Sequence, residues 1–126
     1  MSSSHNLGKS FSYAWTGIKS AFREEPNFRI HAAAASLAII LGLYFHLSRT
    51  EWLVICLTIA SVVGLELVNT AIEALVNLIS PQIHPLAQLA KDTCAAAVLV
   101  GSISAVIVGL LIFVPKIATL IQTAIG

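Results

Sequence analysis

Apolar residues gather into three long runs separated by short polar stretches. Ile30 to Leu47 spans 18 residues, Trp52 to Ile79 spans 28 and Cys94 to Val114 spans 21. About 20 apolar helical residues cross a bilayer core, so the runs predict membrane helices at 30–47, 52–79 and 94–114. The second is too long by about two turns, and one of its ends must project into the headgroups. A different pattern precedes them. Leu7, Phe11, Trp15, Ile18 and Phe22 recur at steps of four, four, three and four, with Lys9, Thr16, Lys19 and Arg23 on the remaining surface. This periodicity predicts an amphipathic helix over 6–25, lying on the membrane surface. Pro26 disfavours helix at Glu25, so the chain is expected to turn there and hold Glu25 on a corner. The segment SPQIHP between the second and third runs is bracketed by Pro81 and Pro85 and predicts a tight turn.

Composition agrees with a membrane solvent. The chain has 126 residues, enough for a single domain (1–126), with 57% hydrophobic and 10% charged residues. Its mean hydropathy is +0.89. A small soluble domain exposes much of its surface and needs charge to keep that surface hydrated. Seven basic and six acidic residues, mostly outside the apolar runs, cannot do this. The fold class expected is an all-α membrane protein with three transmembrane helices and an N-terminal interfacial helix. A net charge of +1 without a basic cluster gives no basis for nucleic-acid binding. Cys56 and Cys94 lack metal-type spacing, lie in apolar runs and read as small hydrophobes. The first segment mixes Lys9, Lys19, Arg23 and Glu24 with aromatics, so it is not expected to be a cleaved leader.

Charge also sets the orientation. Lys9, Lys19, Arg23 and Arg29 precede the first span and Lys91 lies between the second and third, against Arg49 and Lys116 on the opposite side. The positive-inside rule then places the N-terminus and the second loop in the cytoplasm, for a multi-pass protein of the cell (inner) membrane.

The polar residues of the second span carry the candidate chemistry. Glu66, Asn69, Glu73 and Asn77 are spaced by three, four and four, so they form one stripe with Thr70 beside it. Glu66 and Glu73 lie about 10.5 Å apart along the axis. An ionisable residue at the bilayer centre costs about 2.5–3.5 kcal/mol even on insertion scales, so the stripe must face protein, water, a cation or a substrate. Helix–helix hydrogen bonding accounts for Asn69, Thr70 and Asn77. It does not account for two carboxylates with few basic partners, and the glutamates read as functional. Taken singly, Lys91 and Asp92 would be membrane anchors, His84 a loop histidine, Tyr13 and Trp15 interfacial aromatics and Arg29 a snorkelling anchor. Yet Glu25, Glu73, His84, Lys91 and Asp92 converge on one leaflet, where carboxylates beside a lysine suit a metal–triphosphate complex. No Walker A sequence, glycine-rich kinase loop, nucleophile elbow or HExxH is present.

The segments ELVNTAIEALVN and IHPLAQLAKDTCAAAVLV, preceded in order by YAWTGIKSAF and EEPNFRIH, resemble the small prokaryotic diacylglycerol kinase family, which includes undecaprenol kinases. The resemblance runs from about Lys9 to Pro115. It implies a homotrimer with active sites shared between subunits, which transfers phosphate from ATP, with Mg2+, to a membrane lipid alcohol at the cytoplasmic leaflet. By position it implies Glu66 as catalytic base and Glu25 and Glu73 as metal ligands. Tyr13, Glu25, Glu73, His84, Lys91 and Asp92 would contact the nucleotide, Asn69 would support the site, and Phe28, Arg29 and Glu66 would lie at the lipid. The product would be phosphatidic acid or undecaprenyl phosphate; FRIH and IHPLA resemble the undecaprenol branch more. Two positions depart from the family. Asn77 stands where it commonly has an aspartate, and Asn6 where the diacylglycerol branch often has an arginine.

The rival reading is a small proton- or ion-conducting subunit that uses Glu66 and Glu73 as a relay. A relay needs polar groups through to the outer leaflet, and the outer half of the second span offers only Thr58 and Ser61. A structural subunit leaves Lys91 and Asp92 without a role. Two partner helices and one surface helix are also expected to leave the glutamate stripe incompletely screened, which favours symmetric association.

Overall fold

The computed structural model describes residues 6–126 as four helices: α1 (Leu7–Glu24), α2 (Pro26–Tyr44), α3 (Arg49–Ile79) and α4 (Pro85–Ile125). No strand occurs among the described residues, and α2, α3 and α4 are each long and apolar enough to cross a membrane. The α1 helix is amphipathic. Asn6 caps its N-terminus by accepting the Gly8 N–H at 3.2 Å. Leu7, Phe11, Trp15 and Phe22 stay exposed while Ala21, 1% exposed, packs inward. An apolar face left open beside a membrane protein suits a helix lying in the headgroup boundary.

A single extended residue, Glu25, separates α1 from α2, and Pro26 occupies the first position of α2. Proline is preorganised for that position and needs no N–H there. The Arg29 guanidinium reaches back to the Arg23 carbonyl at 3.1 Å and towards that of Phe22 at 3.5 Å. A cation on the last carbonyls of α1 satisfies groups that the helix leaves unpaired. The corner is thereby tied from both sides.

At the opposite end Ser48 and Glu51 form a reciprocal capping box that starts α3. Glu51 also pairs with Lys116 of α4 at 2.9 Å. Leu47, Ile55 and Phe113 form a small buried cluster beside this pair, backed by Phe45 and Trp52. The helices alternate in direction, and α3 packs along α4 over much of its length. Lipid tails are as apolar as leucine, so close packing and polar contacts, rather than removal of area from water, hold such helices together.

The last helix differs from its expected span. It begins at Pro85, nine residues before Cys94, because Pro85 takes its first position and His84 caps it. It also continues through Pro115 to Ile125. Proline within a membrane helix is tolerated where neighbouring groups compensate. Pro115 removes the N–H that would bond the Leu111 carbonyl, yet the helix runs on, and Ile117, Leu120 and Ile121 extend its apolar surface. At 1.5 Å per residue, 41 residues reach about 61 Å, roughly twice the bilayer core. Lys91 and Asp92 therefore lie in the second turn of α4.

Candidate active site

The glutamate stripe of α3 is graded in burial. Glu66 is 3% exposed, Asn69 and Glu73 are half-buried and Asn77 is exposed. Glu66 is thus screened within one chain, while Asn69, Glu73 and Asn77 are not, so the stripe as a whole is left incompletely screened, as expected. The screening comes from all three long helices. His31 of α2 brings Nε2 to 3.1 Å from Glu66 Oε1. Ser102 of α4 places Oγ 3.5 Å from the same imidazole nitrogen. The approach of His31 is oblique: the two atoms are at ion-pair distance, yet Oε1 is left without a well-formed hydrogen bond. Asn69 Oδ1, one turn along the stripe, is likewise buried without a partner. Buried acceptors usually find donors. Two unfilled acceptors on adjacent turns mark a place where a ligand's donor groups can bind.

A cleft of about 270 Å³ runs from His31 along α2, α3 and α4 to Phe113. Its lining is almost wholly apolar and includes Ala35, Ala38, Val62 and Ala105. Glu66 does not itself line this cleft; His31, 3.1 Å from the carboxylate, lines its inner end.

The remaining candidates form two groups at the same end of the bundle. His84 and Lys91 line one recess of about 120 Å³ at the α3–α4 turn, with Asn77 and Gln88. Asp92 adjoins it through the Gln88 side chain, whose Nε2 donates to Asp92 Oδ1 at 2.8 Å. On the α1–α2 side, Arg29 lines a recess with Trp15, Lys19 and Arg23. Tyr13 is 67% exposed on α1 and stands apart from both recesses. Phe28 is 5% exposed, packed inside the chain rather than turned to lipid.

Glu25 and Glu73 are both half-buried, and neither side chain has a hydrogen bond or ion pair among the described residues. No group of three histidine, cysteine, aspartate or glutamate side chains suited to a metal forms among those residues. Two uncommitted carboxylates still fit magnesium, which typically takes one or two protein carboxylates and fills its octahedron with water and phosphate oxygens.

His31 and Ser102 are absent from the residues singled out by sequence. One signal for His31 exists: it is the one acidic, basic or histidine side chain in the first apolar run before the outer-end His46, and such a residue inside a membrane segment is a functional candidate by default. Ser102 has no comparable signal, because a serine in a membrane helix commonly bonds its own backbone, as Ser102 does to Val98.

Known proteins align with this arrangement. The family profile for prokaryotic diacylglycerol kinase matches residues 12–113. An undecaprenol kinase of Bacillus subtilis is 50% identical over 109 residues, covering 86% of this chain and 89% of its own length. A diacylglycerol kinase of Synechocystis is 42% identical over 91% of this chain, which spans 66% of that longer protein. The diacylglycerol kinase of Escherichia coli K12 is 33% identical over 79% of this chain and 81% of its own length. The match takes in α2, α3 and most of α4 with the glutamate stripe, His84, Lys91 and Asp92, and on these grounds the chain belongs to the prokaryotic diacylglycerol kinase family, a family of membrane lipid kinases.

Proposed function

We propose that this protein transfers the γ-phosphate of ATP to the hydroxyl of undecaprenol, or a polyprenol like it, at the cytoplasmic face of the cell membrane, with Mg2+ as cofactor. The observation that carries the reading is Glu66: a carboxylate buried among three helices, with an oxygen that lacks a well-formed hydrogen bond, beside an apolar cleft. A lipid alcohol supplies what this place lacks, a single O–H donor on a long apolar chain. Undecaprenol is favoured over diacylglycerol by the 50% identity to an undecaprenol kinase across most of both chains and by the FRIH and IHPLA segments.

The residues divide the work by position. Glu66 accepts the hydroxyl proton as the oxygen attacks phosphorus. Asn69, one turn away, orients a donor from the same ligand. Glu25, on its corner, and Glu73 hold the metal from the membrane surface. When bound, magnesium offsets triphosphate charge and orients the phosphates. Lys91 adds a positive contact, and His84, Asp92 and Tyr13 contact the nucleotide. Arg29 stays at the headgroup level beside the lipid, with Phe28 packed behind it. Three such chains form a homotrimer whose sites are shared between neighbours, with the N-terminus on the cytoplasmic side.

The test is a comparative phosphorylation assay on purified protein in micelles containing labelled ATP and either undecaprenol or dioleoylglycerol. Faster labelling of undecaprenol is expected, with no labelling by Glu66→Gln. A preference for dioleoylglycerol would reassign the lipid. Near-normal turnover by Glu66→Gln would remove this residue from the mechanism.

A further inference from the structure

The imidazole of His31 sits between two groups, and their chemistry fixes which way its proton points. Ser102 Oγ donates its single proton to the Val98 carbonyl at 2.8 Å, so it offers His31 only lone pairs across 3.5 Å. Glu66, ionised as its role as base requires, is an acceptor only. Both neighbours of His31 Nε2 are therefore acceptors, and Nε2 must carry a proton. That proton lies beside Glu66 Oε1, at a nitrogen–oxygen distance of 3.1 Å. One side chain from each of α2, α3 and α4 takes part, so the position of the Glu66 carboxylate depends on how all three helices pack.

We infer that His31 is a positioning residue for Glu66, donating from Nε2 to Oε1 so that the carboxylate is held at the inner mouth of the apolar cleft with accepting capacity left for the substrate hydroxyl. This rests on the reading of Glu66 as base. The side chain of His31 is less than a quarter exposed and lines the cleft itself, so it fixes the carboxylate from the side along which a lipid hydroxyl arrives. A carboxylate offers about four lone-pair sites on its two oxygens, so a donor beside Oε1 can hold the group in place while other accepting sites remain for the hydroxyl.

The test compares two amides that differ in reach. Glutamine can place an N–H close to where His31 Nε2 stands; asparagine is one bond too short. In purified full-length protein, assayed with undecaprenol and with dioleoylglycerol, His31→Asn and His31→Leu should lower kcat by about 10²-fold, the scale of a misplaced reacting group. KM for ATP and lipid should change by less than about twofold, because the contact serves the carboxylate and not uniform substrate binding. His31→Gln should recover at least about tenfold of that loss. Equal activity of the glutamine and asparagine variants, a loss carried by KM, or normal turnover by His31→Leu would overturn the inference. So would failure of all three variants to elute as folded protein in detergent, since His31 would then be structural. Glu66→Gln, run in parallel, separates the two claims. If it is inactive while His31→Leu is active, only the positioning role falls; if it is active, the base assignment falls and the positioning role with it.

Discussion

The Nδ1 atom of His84 accepts the backbone N–H of Leu86 at 3.1 Å, capping the 41-residue α4 at its first turn. With Nδ1 occupied as acceptor, Nε2 of the neutral ring carries the proton, and the ring borders the recess that also contains Lys91. The two nitrogens thus have separable tasks. His84→Asn should keep the cap, since Oδ1 can replace Nδ1, and leave stability within about 0.5 kcal/mol. It should raise KM for ATP several-fold by removing the Nε2 donor. His84→Ala should lose both functions and about 0.5–2 kcal/mol of stability. Thermal unfolding in detergent, read beside ATP titrations, checks the split; equal stability of the two variants would deny the cap any energetic role.

Glu25 comes from the α1–α2 corner and Glu73 from α3, and neither is committed to a partner among the described residues. If they hold one ion, Glu25→Gln and Glu73→Gln should each shift the magnesium dependence to higher concentration. The double variant should then be little worse than the poorer single, because groups acting on one ligand are non-additive. Magnesium titrations of the four proteins decide this. Fully additive shifts would mean that the two carboxylates serve separate tasks.

Packing at the outer end can be tested without any assumption about catalysis. A Cβ placed on Gly42 would lie 2.7 Å from Trp52 Cη2 and 3.0 Å from Leu47 Cδ1, so α2 and α3 approach closely only because this position lacks a side chain. Overpacking costs about 1–3 kcal/mol, while replacing glycine by alanine in a helix gains up to about 1 kcal/mol. The indole ring is rigid, so the first effect should win and Gly42→Ala should unfold at lower temperature. Gly17→Ala meets nothing within 4 Å and should be neutral or stabilising. A Gly42→Ala chain as stable as wild type would show that Trp52 moves aside at little cost.

What could be read from the sequence depended on whether the signal was local. Pro26 after Glu25 was enough to place the corner, and the three-four-four spacing was enough to put Glu66 and Glu73 on one stripe. Both follow from helix geometry alone. The start of α4 was misplaced because Pro85 also fits a turn, and the cap that resolves the choice is a contact made by His84. Its end lies beyond the expected span because the apolar run was closed at Val114, whereas the helix continues through Pro115 and the apolar residues beyond it. The partner of Glu66 was out of reach for another reason. Periodicity shows which residues share a face of α3 but not which turn of α2 lies opposite, and it is this register that brings His31 to Glu66.

The proposed sharing of sites between subunits makes a quantitative prediction. Glu66 and Glu73 belong to one helix, so a site that uses both takes them from the same chain. Glu25 stands on the α1–α2 corner, off the helix that carries Glu66 and Glu73; in the proposed shared site it is the residue a neighbour donates. At a magnesium concentration low enough to silence Glu25→Gln and Glu73→Gln, mixing Glu66→Gln with Glu73→Gln chains should then restore nothing, because every site inherits one defect or the other. Mixing Glu25→Gln with Glu66→Gln should restore activity wherever a chain with intact Glu25 precedes one with intact Glu66. At equal, random mixing each interface meets that condition about one time in four, so activity should approach about a quarter of wild type in a symmetric ring. Differential affinity tags would confirm that mixed trimers form. Rescue of the first pair, or no rescue of the second in verified mixed trimers, would mean that the site is divided differently or that each protomer builds its own.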